Sequence, residues 1–352
     1  MQAAPKVAII LFNLGGPERL EAIGPFLLNL FSDPAILTVP WPIRPLLARR
    51  ITRARLAPAT AAYAKIGGRS PLLAQTEQQG ALLAAALPEL STRAFIAMRY
   101  WHPLTLEAAR AVAAWDPEEI VLLPLYPQFS TTTTGSSLTA WREAAAAVGL
   151  ARPTRTICCW YTNEGFIASL VEIVRRAIAA ARAELPPGTK LRLLFSAHGL
   201  PERVVRAGDP YRMQIEATAS AVLAVLGPEA PESRVCFQSR ATPEPWLAPS
   251  TDDEVRAAGV DGVALLIVPI AFVSEHSETL VELDIDYREL AAKHGVPAYV
   301  RAPTPALEPL FIAALASLVR EARALPPGLC VLSGCGACGS TYSACPKERS
   351  PV

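Results

Sequence analysis

Net charge is nearly absent from this 352-residue sequence: 33 Lys and Arg against 32 Asp and Glu leave a formal charge of +1. That excludes the broad basic footprint of a nucleic-acid-binding chain. Long apolar runs are missing too, and none approaches the roughly 20 residues that a membrane-spanning helix needs. The N-terminal MQAAPKVAIILFNLGG passes from one Lys into a Gly-Gly-Pro loop, not a small-residue cleavage site. It therefore reads as a first strand, not a signal peptide, and a cytoplasmic location is the expectation. Neither G-x-G-x-x-G nor a P-loop occurs, which removes the common nucleotide-binding motifs. Histidine is rare, at 4 residues, so each one merits placing. The 7 cysteines do not make a disulfide framework in a cytosolic chain of this size. Cys330, Cys335, Cys338 and Cys345 nevertheless crowd into one end, an asymmetry that asks for a metal.

What is present is apolar and periodic. Hydrophobic residues make up 51% of the chain, enough for a large core, and the length suggests two domains. Short apolar runs at Lys6–Phe12, Thr92–Met98 and Glu119–Leu125 are followed in the second half by Lys190–Phe195, Arg234–Gln238 and Val263–Ile270. Between them, Leu72–Leu87, Leu106–Trp115, Glu164–Leu185 and Tyr211–Leu226 carry helical spacing. Apolar strands alternating with helices predict α/β domains with parallel sheets covered on both faces. The halves echo each other: FNLGG pairs with FSAHG, MRYWHP with QSRATPEP, and PLYPQFSTTTT with PIAFVSEHSET. Two domains facing across a cleft follow as the expectation, at 1–157 and 158–318 with an extension at 319–352. Ligands in such sheets sit beyond the carboxyl ends of the strands, where all six echoing loops fall.

Two of those loops carry distinctive chemistry. His198 closes a buried strand in LFSAHGLP, and imidazole can serve there as base or as metal ligand. In the other, Glu275, Glu278, Glu282, Asp286 and Glu289 recur every three or four residues, which would place five carboxylates on one helical face. Like charges at that spacing oppose one another by about 0.2–0.5 kcal/mol per pair, so such a stripe is either a solvated face or a track for a cation. Arg99-Tyr100 sets a cation beside aromatics. Tyr126-Pro127-Gln128-Phe129-Ser130 leads into hydroxyls that could hold carboxylates or simply cap a helix.

LFNLGGPE, IGGRSPL, RYWHP, YPQFSTTTTGSS, FSAHGLP, GDPY, QSR-x₄-PWL and PIAFVSEHSETLVELDIDY, in this order from about Val7 to Pro327, resemble ferrochelatase. The resemblance implies two Rossmann-like domains about a porphyrin cleft and insertion of Fe²⁺ into protoporphyrin IX. His198 and Glu278 would face the ring centre. Glu275, His276, Glu282 and Asp286 would form an acidic metal path. Leu14, Arg99, Tyr100, Tyr126, Ser130 and Trp246 would line the pocket, with Leu14 where many animal members have Met. Coproporphyrin as substrate, a cobalt chelatase and a non-catalytic porphyrin binder are the alternatives.

The tail is similar to the [2Fe–2S] segment of some family members, which implies Cys335, Cys338 and Cys345 as thiolate ligands. No Cys stands in the Ser130–Thr132 segment, where animal members have the fourth. Cys158 is the expected replacement, with Cys159 or Cys330 as alternatives, and zinc is the competing metal. Finally, TVPWPIRPLLARRITRARLAP at 38–58 mixes apolar residues with Arg, a pattern suited to peripheral attachment to an anionic membrane face. A monomer and a homodimer both remain open.

Overall fold

A computed structural model describes residues 4–330 and 342–346. The chain divides into two compact units. The first holds the residues up to Cys159 and the stretch from Leu315 through the last strand; the second holds Trp160–Ala314 and the described tail residues.

The first unit carries strands β1 (Lys6–Asn13), β2 (Ser91–Met98), β3 (Glu119–Pro124) and β4 (Thr154–Ile157), and helices α1 (Ile23–Ser32), α2 (Arg44–Lys65), α3 (Leu72–Ala85), α4 (Thr105–Trp115) and α5 (Ser136–Ala147). The second carries β5 (Leu191–His198), β6 (Glu232–Gln238), β7 (Ala264–Pro269) and β8 (Tyr299–Arg301). Its helices are α6 (Glu164–Glu184), α7 (Glu202–Arg206), α8 (Tyr211–Leu226), α9 (Thr251–Asp261) and α10 (Tyr287–Lys293). Helix α11 (Pro309–Ala324) and strand β9 (Gly328–Cys330) follow.

All strand pairs are parallel, in the orders β2-β1-β3-β4-β9 and β6-β5-β7-β8. Counted within each half, the first four strands share one order, 2-1-3-4, which is the structural form of the echo between the halves. The central strands are apolar on both faces because helices cover both. Every residue of β1 from Val7 to Asn13 is buried, and burying one such Val, Leu, Ile or Phe side chain contributes about 1.5–3 kcal/mol. Phe12 meets Trp141 of α5 edge-on at 6.1 Å in the first core. Leu194, Ile267, Leu283 and Tyr287 belong to the second. Caps set the helix ends: Asn163 accepts from Phe166 N–H before α6, and Ser250 from Asp253 N–H before α9.

The expected acidic α-helix differs in form. Glu278–Asp286 winds as a π-helix, and α-helical geometry resumes only at Tyr287. Tyr287 N–H reaches back five residues to Glu282 O, and the Gln238 side chain donates to Glu278 O at 3.3 Å. A side chain inserted into the ladder is a physical cause of such widening. Glu275 lies ahead of this helix, not on its face. The Thr run behaves similarly: Thr131–Gly135 is π-helical, with Gly135 N–H bonded to Ser130 O.

Candidate active site at the strand ends

In the second unit, β5 ends at His198 and the π-helix after β7 begins at Glu278. His198 Nδ1 lies 2.8 Å from Glu278 Oε2. Burial alone would lower the His198 pKa, but the Glu278 carboxylate and its hydrogen bond more than offset this and hold it above its ordinary value. Burial likewise opposes the charged form of Glu278, yet His198 holds its carboxyl down to about 2. Both side chains remain partly open, 37% and 31% exposed.

The turn after His198 is fixed by close packing. Gly199 N–H donates to Gln238 O at 2.8 Å, and a Cβ on Gly199 would stand 2.8 Å from that oxygen and 3.2 Å from Trp246. Pro201 pairs with Trp246 in an antiparallel bridge, and the indole N–H reaches Thr242 Oγ1. Trp246 is thus laced to the His198 loop.

The neighbouring carboxylates are different. Glu282 accepts from Ser239 N–H at 2.8 Å, from the Ser239 hydroxyl, from Gln238 Nε2 at 3.0 Å and from Tyr287 Oη at 3.3 Å. Those four bonds use the full acceptor capacity of a carboxylate. Burial, then the nearby Glu278, raises its pKa. Glu275 accepts from Arg301 at 3.0 Å, from Thr304 N–H and Oγ1, and from the Thr279 hydroxyl. Burial pushes it up, but Arg301 and these donors hold it below its ordinary value. His276 Nδ1 accepts from Glu278 N–H, its ring lies 4.7 Å from Phe272, and burial lowers its pKa, the opposite direction to His198. Asp286 is exposed at the end of the π-helix. Among the described residues, no three His, Cys, Asp or Glu side chains form a ready metal cage.

The first unit gathers its candidates at the ends of β1, β2 and β3. Leu14 O accepts from Tyr100 N–H at 2.9 Å. Arg99 donates through Nε to Ser136 Oγ at 2.6 Å and meets Asp33 Oδ2 at 2.8 Å. Tyr100 is fully buried and donates to the same oxygen at 2.9 Å. Ser130 caps the π-turn by accepting from Thr132 N–H. Tyr126 lies beside Ser137; both are buried, and neither hydroxyl finds a hydrogen-bond partner among the described residues.

Sequence reasoning passed over Asp33, Ser239, Tyr211 and Arg301. Tyr211 is buried and feels the Glu278 and Asp209 charges, which add to burial in raising its pKa. Ser239 had a signal in the QSR motif, but its left-handed backbone, φ 66°, has none in sequence. Cys335 and Cys338 lie outside the described residues. Cys158, Cys159, Cys330 and Cys345 are buried, and none is in a disulfide.

Each unit is built on a parallel α/β sheet, and a histidine–carboxylate pair stands at the strand ends of the second. SirB from Bacillus subtilis with Fe³⁺ superposes with a TM-score of 0.50 at 13% identity, over 90% of this chain and 95% of that one, which speaks to the fold alone. The ferrochelatase family model matches residues 6–323. Ferrochelatase of Caulobacter vibrioides is 51% identical over 346 residues, 97% of each chain, and that of Phenylobacterium zucineum is 51% identical over 335 residues, 92% of this chain and 95% of its own. The chain belongs to the ferrochelatase family.

Proposed function

We propose that the chain inserts Fe²⁺ into protoporphyrin IX to give protohaem, the last step of haem synthesis, with His198 and Glu278 at the reacting centre. The observation that carries this is the 2.8 Å His198–Glu278 contact, left partly open while Glu275 and Glu282 are saturated by protein donors. The free-base ring has two pyrrole N–H bonds. Both break as the metal takes the four nitrogens, two protons leave, and no electron is transferred. With Nδ1–H donated to Glu278, Nε2 of neutral His198 carries the lone pair that accepts a ring proton. Glu278 stabilises the imidazolium that forms. Fe²⁺ is a substrate here, and a partly open pair suits a metal that must be released into the ring. A role for Glu275 or Glu282 on the iron path would require each to exchange hydrogen-bond donors for metal. His276 and exposed Asp286 complete the proposed path. Arg99, Tyr100, Tyr126, Ser130, Leu14 and Trp246 are the proposed porphyrin contacts.

Anaerobic incubation with Fe²⁺ and either protoporphyrin or coproporphyrin, scored by haem absorbance, tests the assignment. Faster turnover of coproporphyrin would redirect the substrate. Full activity in His198→Ala would remove the mechanism.

We further propose that the cysteine tail holds a [2Fe–2S] group through Cys335, Cys338, Cys345 and Cys158. Support comes from the burial of Cys158 and Cys345 and from the β4–β9 register, which sets Cys330 opposite Ile157, one residue before Cys158. The Cys330 thiol faces Ala322 O at 3.9 Å and Gly328 O at 3.7 Å, and Cys159 and Cys330 are the alternatives to Cys158. Metal insertion needs no redox step, so the group would be structural or regulatory. A visible spectrum decides: red-brown protein supports the cluster, whereas colourless zinc-loaded protein overturns it.

The 38–58 segment is proposed to rest on an anionic membrane face. Trp41, Ile43 and Leu46 are 76%, 55% and 72% exposed, close to exposed Arg49, Arg50 and Arg53 on α2. Arg44 instead holds the preceding turn through Leu37 O and Val39 O. No described helix is long and apolar enough to cross a membrane. Flotation with anionic liposomes, lost on neutral ones and in Trp41→Ser/Leu46→Ser, is the expected result.

A further inference from the structure

Asp33 stands at the C-terminal end of α1 and is 4% exposed. In sequence it is a helix stop before Pro34. In the structure its two oxygens do different jobs. Oδ1 accepts from Ala35 N–H at 2.8 Å and shapes its own turn. Oδ2 collects three side-chain donors from elsewhere in the unit: Arg99 at 2.8 Å, Tyr100 Oη at 2.9 Å and the Ser136 hydroxyl. Arg99 Nε closes the ring of contacts on Ser136 Oγ at 2.6 Å. One carboxylate thus joins the end of α1, the loop after β2 and the start of α5.

The rest of the neighbourhood gives that joint a purpose. Arg99 keeps 24% of its side chain exposed, whereas Asp33 beneath it keeps 2%. Close by, Tyr126 Oη, Thr134 Oγ1 and Ser137 Oγ are buried hydroxyls with no partner among the described residues. An unmet buried polar group costs about 1–3 kcal/mol, so these hydroxyls suit a ligand or water that brings hydrogen bonds. Left alone, a long arginine side chain samples many rotamers, and fixing it costs entropy at each binding event. A guanidinium already held by two hydrogen bonds has met that cost on folding. Its remaining edge is then oriented before the ligand arrives.

Building on the pocket roles given above to Arg99 and Tyr100, we propose that Asp33 is a positioning residue. It clamps Arg99, Tyr100 and Ser136 so that the exposed guanidinium edge is preset for a carboxylate at the rim of the porphyrin. Asp33 does not touch the ring; it acts through Arg99.

Removing the Asp33 charge has a second effect of opposite sign. Without geometry, deleting an anion beside Arg99 would strengthen attraction for a carboxylate. The two effects predict opposite results in Asp33→Asn, which keeps the shape and one acceptor. Binding of protoporphyrin IX and of its dimethyl ester, in the same detergent, is followed by quenching of tryptophan fluorescence in wild type, Asp33→Asn, Arg99→Ala and the double variant. Thermal melts confirm that each is folded, and Asp33→Glu serves as the second variant should Asp33→Asn melt early.

The expected result is about tenfold weaker binding of the diacid in Asp33→Asn, the scale of one misaligned charged hydrogen bond. The ester should be unaffected, and the double variant should be no weaker than Arg99→Ala alone. KM for porphyrin should rise while KM for Fe²⁺ stays constant. Equal weakening of diacid and ester would mean a merely structural role and would overturn the proposal. So would unchanged or tighter binding of the diacid in Asp33→Asn while Arg99→Ala weakens it. Wild-type binding by Arg99→Ala would instead remove the pocket role of Arg99 itself, and Asp33 would fall with it.

Discussion

At the strand ends of the first unit, Arg99 is met by a buried carboxylate and a hydroxyl, and its neighbour Tyr100 shares the same oxygen. In the second unit, His198 meets one oxygen of Glu278, and both side chains stay about one-third exposed. The two clusters use the same chemistry of cation against carboxylate, yet one is closed and the other open. A closed ion pair fixes geometry. An open pair of titratable groups can change partners and protonation state, which a proton-releasing metal insertion needs. Within the second unit the contrast recurs, since Glu275 and Glu282 are saturated and Glu278 is not.

The sharpest way to break this comparison is to remove the open pair. His198→Ala should lower kcat/KM for iron insertion by about a thousandfold, the scale of lost general-base catalysis, while far-UV circular dichroism and the melting temperature stay near wild type. Glu278→Gln should fall nearly as far. If either retains full rate, the open pair is not the reacting centre.

A smaller effect concerns pH. Glu278 raises the His198 pKa, and burial lowers it. Below that raised pKa the imidazole is already protonated and cannot accept from the ring, so kcat/KM should climb as pH rises through it. In Glu278→Gln the raising charge is gone and burial remains. The surviving activity should therefore reach its plateau at lower pH than wild type. A pH–rate profile with an unmoved acidic limb would show that His198 is not the group being titrated.

The sequence carried more of the second site than of the first. FSAHGLP and SEHSETL both fall where an apolar strand ends, so the positions of His198 and Glu278 were legible. The parallel strands β1, β2, β3, β5, β6 and β7 were legible for the same reason: each contains an apolar run. Strands β4, β8 and β9 were not, because Thr154–Ile157 buries only Ile157, and Tyr299–Arg301 and Gly328–Cys330 are three residues long. The carboxylate spacing suggested an α-helix, but a π-helix forms where Gln238, distant in sequence, bonds to Glu278 O. Asp33 was illegible because its role depends on donors 66, 67 and 103 residues away, at Arg99, Tyr100 and Ser136.

The saturated carboxylates offer the finest test, because they titrate in opposite directions. Glu275 has a lowered folded pKa, with Arg301 the chief cause opposing burial. Its stabilising contribution is complete above the ordinary carboxylate range and is lost as pH falls through the depressed folded value. Glu282 has a raised folded pKa, from burial and then Glu278. Its ionised form therefore weighs against folding at neutral pH, and that burden is relieved as pH falls through the raised value. Urea unfolding between neutral pH and mild acid should separate them. Glu275→Gln should lose about 1–3 kcal/mol at neutral pH and converge on wild type in acid, where the native carboxyl would be protonated anyway. Glu282→Gln keeps most of its hydrogen-bonding shape without the charge, so its deficit should be smaller at neutral pH and should widen, not shrink, on acidification. Its insertion rate should fall only a few-fold, far less than that of Glu278→Gln. Parallel behaviour of the two variants would mean that both carboxylates sit in one electrostatic environment, and the distinction between an Arg-held and a hydroxyl-held carboxylate would collapse.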